Sequence, residues 1–328
     1  MTQAELAGSW LSQDPRKLEY YNDDSYFWEG LATLEAVAAD RGSPAESELR
    51  HLTFMLVKPE AIVGRRVAPI LDFLSGCGFR IAGTWPLRMG RHEVRCVWRY
   101  QFNAIPIAHI RAHEMMLAED EVFLVGLDHR LTDGQPSAAR LLARSKGSSA
   151  DPGGGNSLRD LLGRPALLIA FVHAPDEPAD VVRELAVLCE WRLQREIFAT
   201  LLAARQWPDA RFAAAARAAR ALMTSRYDKV AAHDLDATAA LSRLRARLAG
   251  DPMGLSPAAL AAIRAGHTAP DRALGIVAEL ENATELPRWD RIVTAIQLVD
   301  RLRTGSDPLI GPPPSPFWER LGAADERE

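Results

Sequence analysis

Cysteine is scarce in this chain: three in 328 residues, Cys77, Cys96 and Cys189, odd in number and far apart. That excludes a disulfide framework and the paired spacing of a zinc site. Free buried thiols in a reducing, cytoplasmic setting account for them. Long apolar runs are missing as well. No stretch approaches the ~18 uninterrupted apolar residues of a membrane-spanning helix. The opening MTQAELAGSWLSQD has no basic segment leading into an apolar one, so no signal peptide is expected. Nor is there an excess of positive charge. With a formal net charge of −4, no global field draws the chain to nucleic acid or anionic lipid, and neither is expected as a partner.

Several chemical signatures are also absent. There is no Gly-x-x-x-x-Gly-Lys-Ser/Thr loop and no Gly-x-Ser-x-Gly elbow, which removes P-loop enzymes and serine hydrolases of that type. Gly153, Gly154 and Gly155 lack dinucleotide-fingerprint spacing and read as a flexible loop, with phosphate cradling by their amides as the alternative. His109 and His113 stand one helical turn apart beside Glu114. The zinc-protease order is absent and no third ligand is evident, so a solvated helix face is expected there.

What remains is a chain of 48% apolar and 25% charged residues, the composition of a globular protein, long enough for two domains. Residues 1–50 read as a helical extension. Asp23, Asp24 or Ser25 caps a helix whose apolar residues Phe27, Leu31, Leu34 and Val37 share one face. The aromatic cluster around it is expected to dock on the body of the protein. From Leu52 the pattern alternates. LTFMLV reads as a strand, 67–74 as a helix stopped by Gly76 and Gly78, FRIAGTWPL as a second strand, and EVFLVGL as a third. Helices are expected over 91–102, 107–117 and 138–145. A buried strand starting at Ala166 ends in His173, followed by a long helix from Pro178, well placed at a first turn, to about Arg205. Four strands with helical crossovers indicate an α+β, ferredoxin-like βαββαβ sheet covered by helices on one side. Residues 206–310 carry no strand signal and read as an all-helical C-terminal domain broken at Gly250-Asp251-Pro252, Ser256-Pro257 and Ala269-Pro270, with a loose tail over 311–328.

The combination that rises above this background is ordered: Val57-Lys58-Pro59-Glu60, then Gly78-Phe79-Arg80, then Gly155-Asn156-Ser157-Leu158-Arg159, then an apolar run ending at His173. Over about residues 50–198 it resembles the nucleoside diphosphate kinase family, and the resemblance implies a catalytic domain over 51–205 with such a core. It places the phosphate-carrying histidine at His173 and the glutamate that orients its ring at Glu184. Lys58, Arg159 and Arg140, with Arg144 as a rival register, would bind phosphate, and Trp98 stands where the family has a tyrosine. The activity implied is a phosphotransferase cycle in which ATP phosphorylates His173 and a nucleotide or nonstandard small-molecule acceptor collects the phosphate. Magnesium would bridge the donor oxygens largely through water, with Asp176 as an outer-shell partner, and a homo-oligomer is expected. The physics agrees: an imidazole fixed by a carboxylate is a directed nucleophile, and flanking cations offset charge on the transferring oxygens. Departures are concentrated at sugar and base recognition. Ala170 replaces the family's asparagine, Ala174-Pro175 replaces Gly-Ser, and no secure counterpart of the base-stacking phenylalanine lies between Ile105 and His109. They leave two other readings: a catalytically degenerate nucleotide-binding regulator, and a helical region that serves as a scaffold.

Overall fold

The computed structural model describes residues 10–147 and 156–311. The Gly153–Gly155 loop, the first nine residues and the tail beyond 311 lie outside the described residues. Mixed α and β structure is built on a four-stranded antiparallel sheet of β1 (Leu52–Val57), β2 (Phe79–Leu87), β3 (Val122–His129) and β4 (Val172–His173), in the order β2-β3-β1-β4. The first three strands fall on the apolar runs that predict them.

Two expectations about the sheet need correction. The sheet is covered on both faces. Met55 and Val57 of β1 enter one hydrophobic cluster while Leu52, Phe54 and Leu56 enter another, and all are buried. The sequence LTFMLV is a continuous apolar run, and such a run demands cover on both sides. One layer holds α4 (Pro59–Val63), α5 (Val67–Gly76), α7 (Ile107–Leu117) and C-terminal helices. The other holds α2 (Ser25–Ala39), α3 (Ala45–Leu49), α6 (Arg91–Val97), α10 (Pro178–Leu188) and α11 (Trp191–Ala204). Secondly, the strand expected from Ala166 pairs only at Val172 and His173. The amides of Ala170 and Val172 bond to carbonyls two residues back, Leu168 O and Ala170 O, and Phe171 takes φ 63°. Those tight turns consume the groups a ladder would use.

The long helix expected after Pro178 is also two helices. Cys189 adopts extended geometry, and Glu190 caps the second helix by accepting from Arg192 N. Gln194 Nε2 donates to the Cys189 carbonyl exposed by the break, at 3.0 Å. Between β3 and β4 lie α8 (Ala138–Lys146) and α9 (Leu158–Leu162). The C-terminal region forms α12 (Asp209–Thr224), α13 (Ala237–Leu248), α14 (Pro257–Ala265), α15 (Pro270–Asn282) and α16 (Arg288–Val299), divided near the expected breaks. No described helix is long and apolar enough to cross a membrane.

The N-terminal extension is welded to α10. A Cβ at Gly30 of α2 would meet Val182 O at 2.2 Å, so the helices approach to backbone contact there and glycine is required. Arg183, fully buried, donates from Nε to Asp24 at 2.6 Å, and Tyr100 donates to the same carboxylate. The helix that sequence reading overlooked, α1 (Pro15–Asn22), sends buried Lys17 to Asp180 at 2.8 Å and Glu177 at 3.1 Å. Tyr21 donates to the other Asp180 oxygen. Removing one partner of a buried pair strands the rest as uncompensated charge, at a cost of about 3–5 kcal/mol. Lys17→Met is therefore expected to destabilise the protein by about that amount in urea titrations, and adding Asp180→Asn is expected to recover part of the loss; strictly additive single-mutant effects would contradict the coupling.

Candidate active site

β1 ends at Val57 and the chain turns at once into α4, with Pro59 at its first position. Lys58 at that turn is buried, and its Nζ lies 2.7 Å from Glu60 Oε1 and 3.3 Å from the Leu168 carbonyl. The same Glu60 oxygen accepts from Phe171 N at 3.1 Å. Glu60 thus ties the lysine to the strained residue two places before His173. A bulky residue at positive φ costs on the order of 1–3 kcal/mol, and such strain collects at sites where the surrounding structure enforces it.

His173 stands at the end of β4 with 15% of its side chain exposed, and its Nε2 lies 2.8 Å from Glu184 Oε2 on α10. A carboxylate only accepts, so Nε2 carries the hydrogen and Nδ1 keeps its lone pair. The Trp98 ring stands edge-on to the imidazole, with centroids 5.0 Å apart and planes at 69°. Beside these side chains opens a cavity of about 210 Å³. Lys58, Trp98, Arg159 and His173 line it, as do Gln101, Phe102, His109 and His113. Four of the residues picked out in the sequence therefore share one cavity, and Glu184 reaches it through the imidazole.

Arg140 and Arg144 do not join them. Arg140 is bound to Glu177 at 3.1 Å and faces a different hollow, beside Trp10 and Pro178; Arg144 is exposed. In the last turn of α8, buried Lys146 instead comes close to the histidine strand, donating to the Ala174 carbonyl at 2.9 Å and to Asp176 at 3.0 Å. Lys146 escaped sequence reading because it had no motif; only its position on the same helix, two residues past Arg144, could have suggested it. Glu60 was overlooked as a functional residue although it closes the Val-Lys-Pro-Glu segment.

His109 and His113 require the plainest correction. Both are buried, not solvated, because the C-terminal helices α15 and α16 cover α7. His113 lies against Trp98, with centroids 4.6 Å apart. Both ring nitrogens of His109 lack hydrogen-bond partners.

The electrostatics follow from burial. Desolvation lowers the Lys58 ammonium, opposed by Glu60. It pulls Arg159 down to about 10, which leaves it charged at neutral pH. Burial favours the neutral Asp176 carboxyl, but Lys146 and then Lys17 overcome that and hold it down to about 2. Burial, then the charge of Lys58, keeps His113 well below the ordinary imidazole value.

Among the described residues no group of three or more His, Cys, Asp or Glu side chains could hold a metal ion, and Asp176 is engaged by Lys146. The described side chains alone do not compose a resident magnesium site.

No family model matches the chain, and neither does any curated protein. Among solved structures it is similar to the nucleoside diphosphate kinase of Aquifex aeolicus, at 19% identity and a TM-score of 0.36, over 43% of this chain and 95% of that one. A likeness of that size carries no weight for fold or activity.

The buried histidines set a pH dependence. His113 is neutral in the folded protein and takes up a proton in the unfolded chain below about pH 6.5. The unfolded state then binds more protons, so stability falls as pH drops through that value. In urea titrations between pH 7.5 and 5, His113→Phe is expected to show a shallower loss than the wild type, by up to about 1.4 kcal/mol per pH unit; parallel curves would contradict a neutral buried imidazole.

Proposed function

We propose that the protein is a phosphotransferase resembling nucleoside diphosphate kinase, which moves the terminal phosphate of ATP through His173 to a nucleotide or another small acceptor. The observation that carries this reading is the imidazole held through Nε2 by Glu184, at 2.8 Å, in a cavity that Lys58 and Arg159 also line. Support also comes from the strand order, which read from β4 is 4-1-3-2, as in a ferredoxin-like sheet. The unpaired thiols fit a reducing cytoplasm. The catalytic unit is taken as residues 51–205, between the N-terminal extension and the helical region 206–310.

In the first half-reaction the Nδ1 lone pair attacks the terminal phosphorus, the phosphorus–oxygen bond to the leaving ADP breaks, and ADP carries away that electron pair. Glu184 stabilises the ring as it becomes cationic, a role that positioning carboxylates serve for histidine generally. Lys58 and Arg159 offset charge on the transferring oxygens, the arginine through its planar fork. In the second half an acceptor oxygen attacks, the phosphorus–nitrogen bond breaks, and His173 is regenerated. Magnesium would come with the nucleotide, on its phosphates.

A second reading has an observation behind it. Lys58 is already neutralised by Glu60, and Arg140 by Glu177, so two of the three cations assigned to phosphate are internally paired. That favours a nucleotide-binding regulator without turnover.

Terminally labelled ATP separates the two. Wild type with magnesium is expected to acquire an acid-labile, base-stable label, His173→Ala none, and Glu184→Gln a label forming about 10–100-fold more slowly. Nucleotide binding by calorimetry with no label on the wild type would establish the regulator and overturn the phosphotransferase.

A further inference from the structure

A second cavity, of about 300 Å³, opens where α4 meets the C-terminal region, and none of the residues assigned to phosphate lines it. The carboxylates along it are already matched: Glu119 by Arg288, Asp120 by Arg226 at 2.6 Å, and Asp290 by Arg243 at 2.7 Å. His233 has both ring nitrogens engaged, Nδ1 by the amide of Leu235 and Nε2 by Asp290, at 2.9 Å each. With no free base or nucleophile in its lining, the cavity is suited to binding and not to turnover. The polar groups left over are all donors. Lys229 makes no ion pair through its side chain among the described residues. α16 begins after Pro287 with no side-chain cap, so the amides of Arg288, Trp289 and Asp290 have no partner within the helix. Trp289 is only 8% exposed, yet its indole N–H, which can only donate, has no hydrogen-bond partner among the described residues. That nitrogen is not sealed from solvent, and the opening beside it is this cavity. A buried donor left unmet costs about 1–3 kcal/mol, so it calls for a ligand or water.

We infer that this cavity binds a small organic carboxylate, whose oxygens accept from the Trp289 N–H and the first-turn amides of α16 while Lys229 offsets its charge. The apolar body of the ligand lies against Pro59, Ile62 and the Trp289 ring, which form the dry wall. Charge decides for a monoanion. The unmatched positive charge is one lysine and the roughly half charge of a helix N-terminus, which balances a single negative charge. A phosphate dianion brings a second one beside Asp120 and Glu119, where like charges repel. An inorganic anion also leaves the apolar wall in water. The volume stands at the lower end of the roughly 300–1,000 Å³ of ligand sites, so the body is about one ring in size. The inference stands apart from the phosphotransfer reading. Its one link to that reading is α4, which supplies Pro59 and Ile62 to this cavity and Glu60 to the lysine of the other.

Calorimetric titration of the full chain with benzoate, benzamide and inorganic phosphate is the test. Benzoate is expected to bind with a Kd of about 1 mM, a strength in keeping with so small a ligand. Benzamide, which has the same shape without the charge, is expected to bind at least about 10-fold more weakly, because hydrogen bonds to an ionised acceptor are the stronger ones; phosphate is expected to be weaker as well. Lys229→Ala, at an exposed position, is expected to weaken benzoate by about two- to fivefold. Trp289→Phe keeps the apolar wall and removes the N–H, and is expected to weaken it by about 10-fold. In magnetic resonance spectra of the wild type, the indole N–H signal that is lost in Trp289→Phe is expected to move as benzoate is added. If Trp289→Phe melts below the wild type, Lys229→Ala and that signal decide the matter. No saturable binding of benzoate, equal binding of benzamide, tighter binding of phosphate, an affinity unchanged by Lys229→Ala, or an indole signal that stays in place would overturn the inference. So would loss of benzoate binding in Arg159→Leu with Lys229→Ala unaffected, which puts the anion beside His173 instead.

Discussion

One carboxylate oxygen holds the histidine end of the sheet in place. Glu60 Oε1 neutralises the buried Lys58 and accepts from the amide of Phe171, and through those two contacts α4 is joined to the segment that delivers His173. Lys58 N also donates to the Phe171 carbonyl at 3.0 Å, so the kinked residue is held at both ends. Held at both ends, Phe171 keeps its positive φ, and the run from Ala166 does not continue as an ordinary strand. The shortness of β4 and the opening of a cavity beside it are then one fact. The chain leaves the ladder early because its amides are spent in tight turns, and the space a longer strand would fill is left to Lys58, Arg159 and the aromatic wall.

The histidine's other support comes from further away. α10 is buried along its whole length and carries Asp180, Arg183 and Glu184 inward. None of these charges could be placed there without partners. Asp180 is met by Lys17, Arg183 by Asp24, and Glu184 by the imidazole of His173. Two of the three partners come from the N-terminal extension. The N-terminal extension therefore sets the rotation of α10, and with it the direction from which Glu184 approaches the ring.

How much could be read in the sequence follows the range of the forces involved. β1, β2 and α7 were legible because their apolar patterns are local. Lys58, Arg159 and His173, which sit in short ordered segments of the sequence, line one cavity: Lys58 follows β1, His173 ends β4, and Arg159 lies in the first turn of α9. The run from Ala166 to Phe171 was misread because apolar character alone does not reveal where its hydrogen bonds go; here Leu167 N is taken by Asp300, more than a hundred residues on. His109 and His113 were misread for the same reason. Helical spacing placed them on one face, but what covers that face is α15 and α16, which nothing near α7 announces. Arg140 lost its assigned place to a purely spatial competitor, Glu177, whose neighbour Asp176 recruits Lys146 instead.

The committed charges also say how an anion would be received. Lys58 is paired with Glu60, Lys146 with Asp176, and Arg159 spends Nη1 on the Gly147 carbonyl while its buried Nε has no partner. Burial disfavours the charged forms of Lys58 and Arg159. A phosphate entering between them reverses that bias, because an adjacent negative charge raises the pKa of a cation that desolvation had lowered. Anion binding and the charged form of Lys58 therefore favour one another. The internal carboxylate keeps the lysine charged and in position beforehand, so an arriving anion would share an existing ion pair without having to create one.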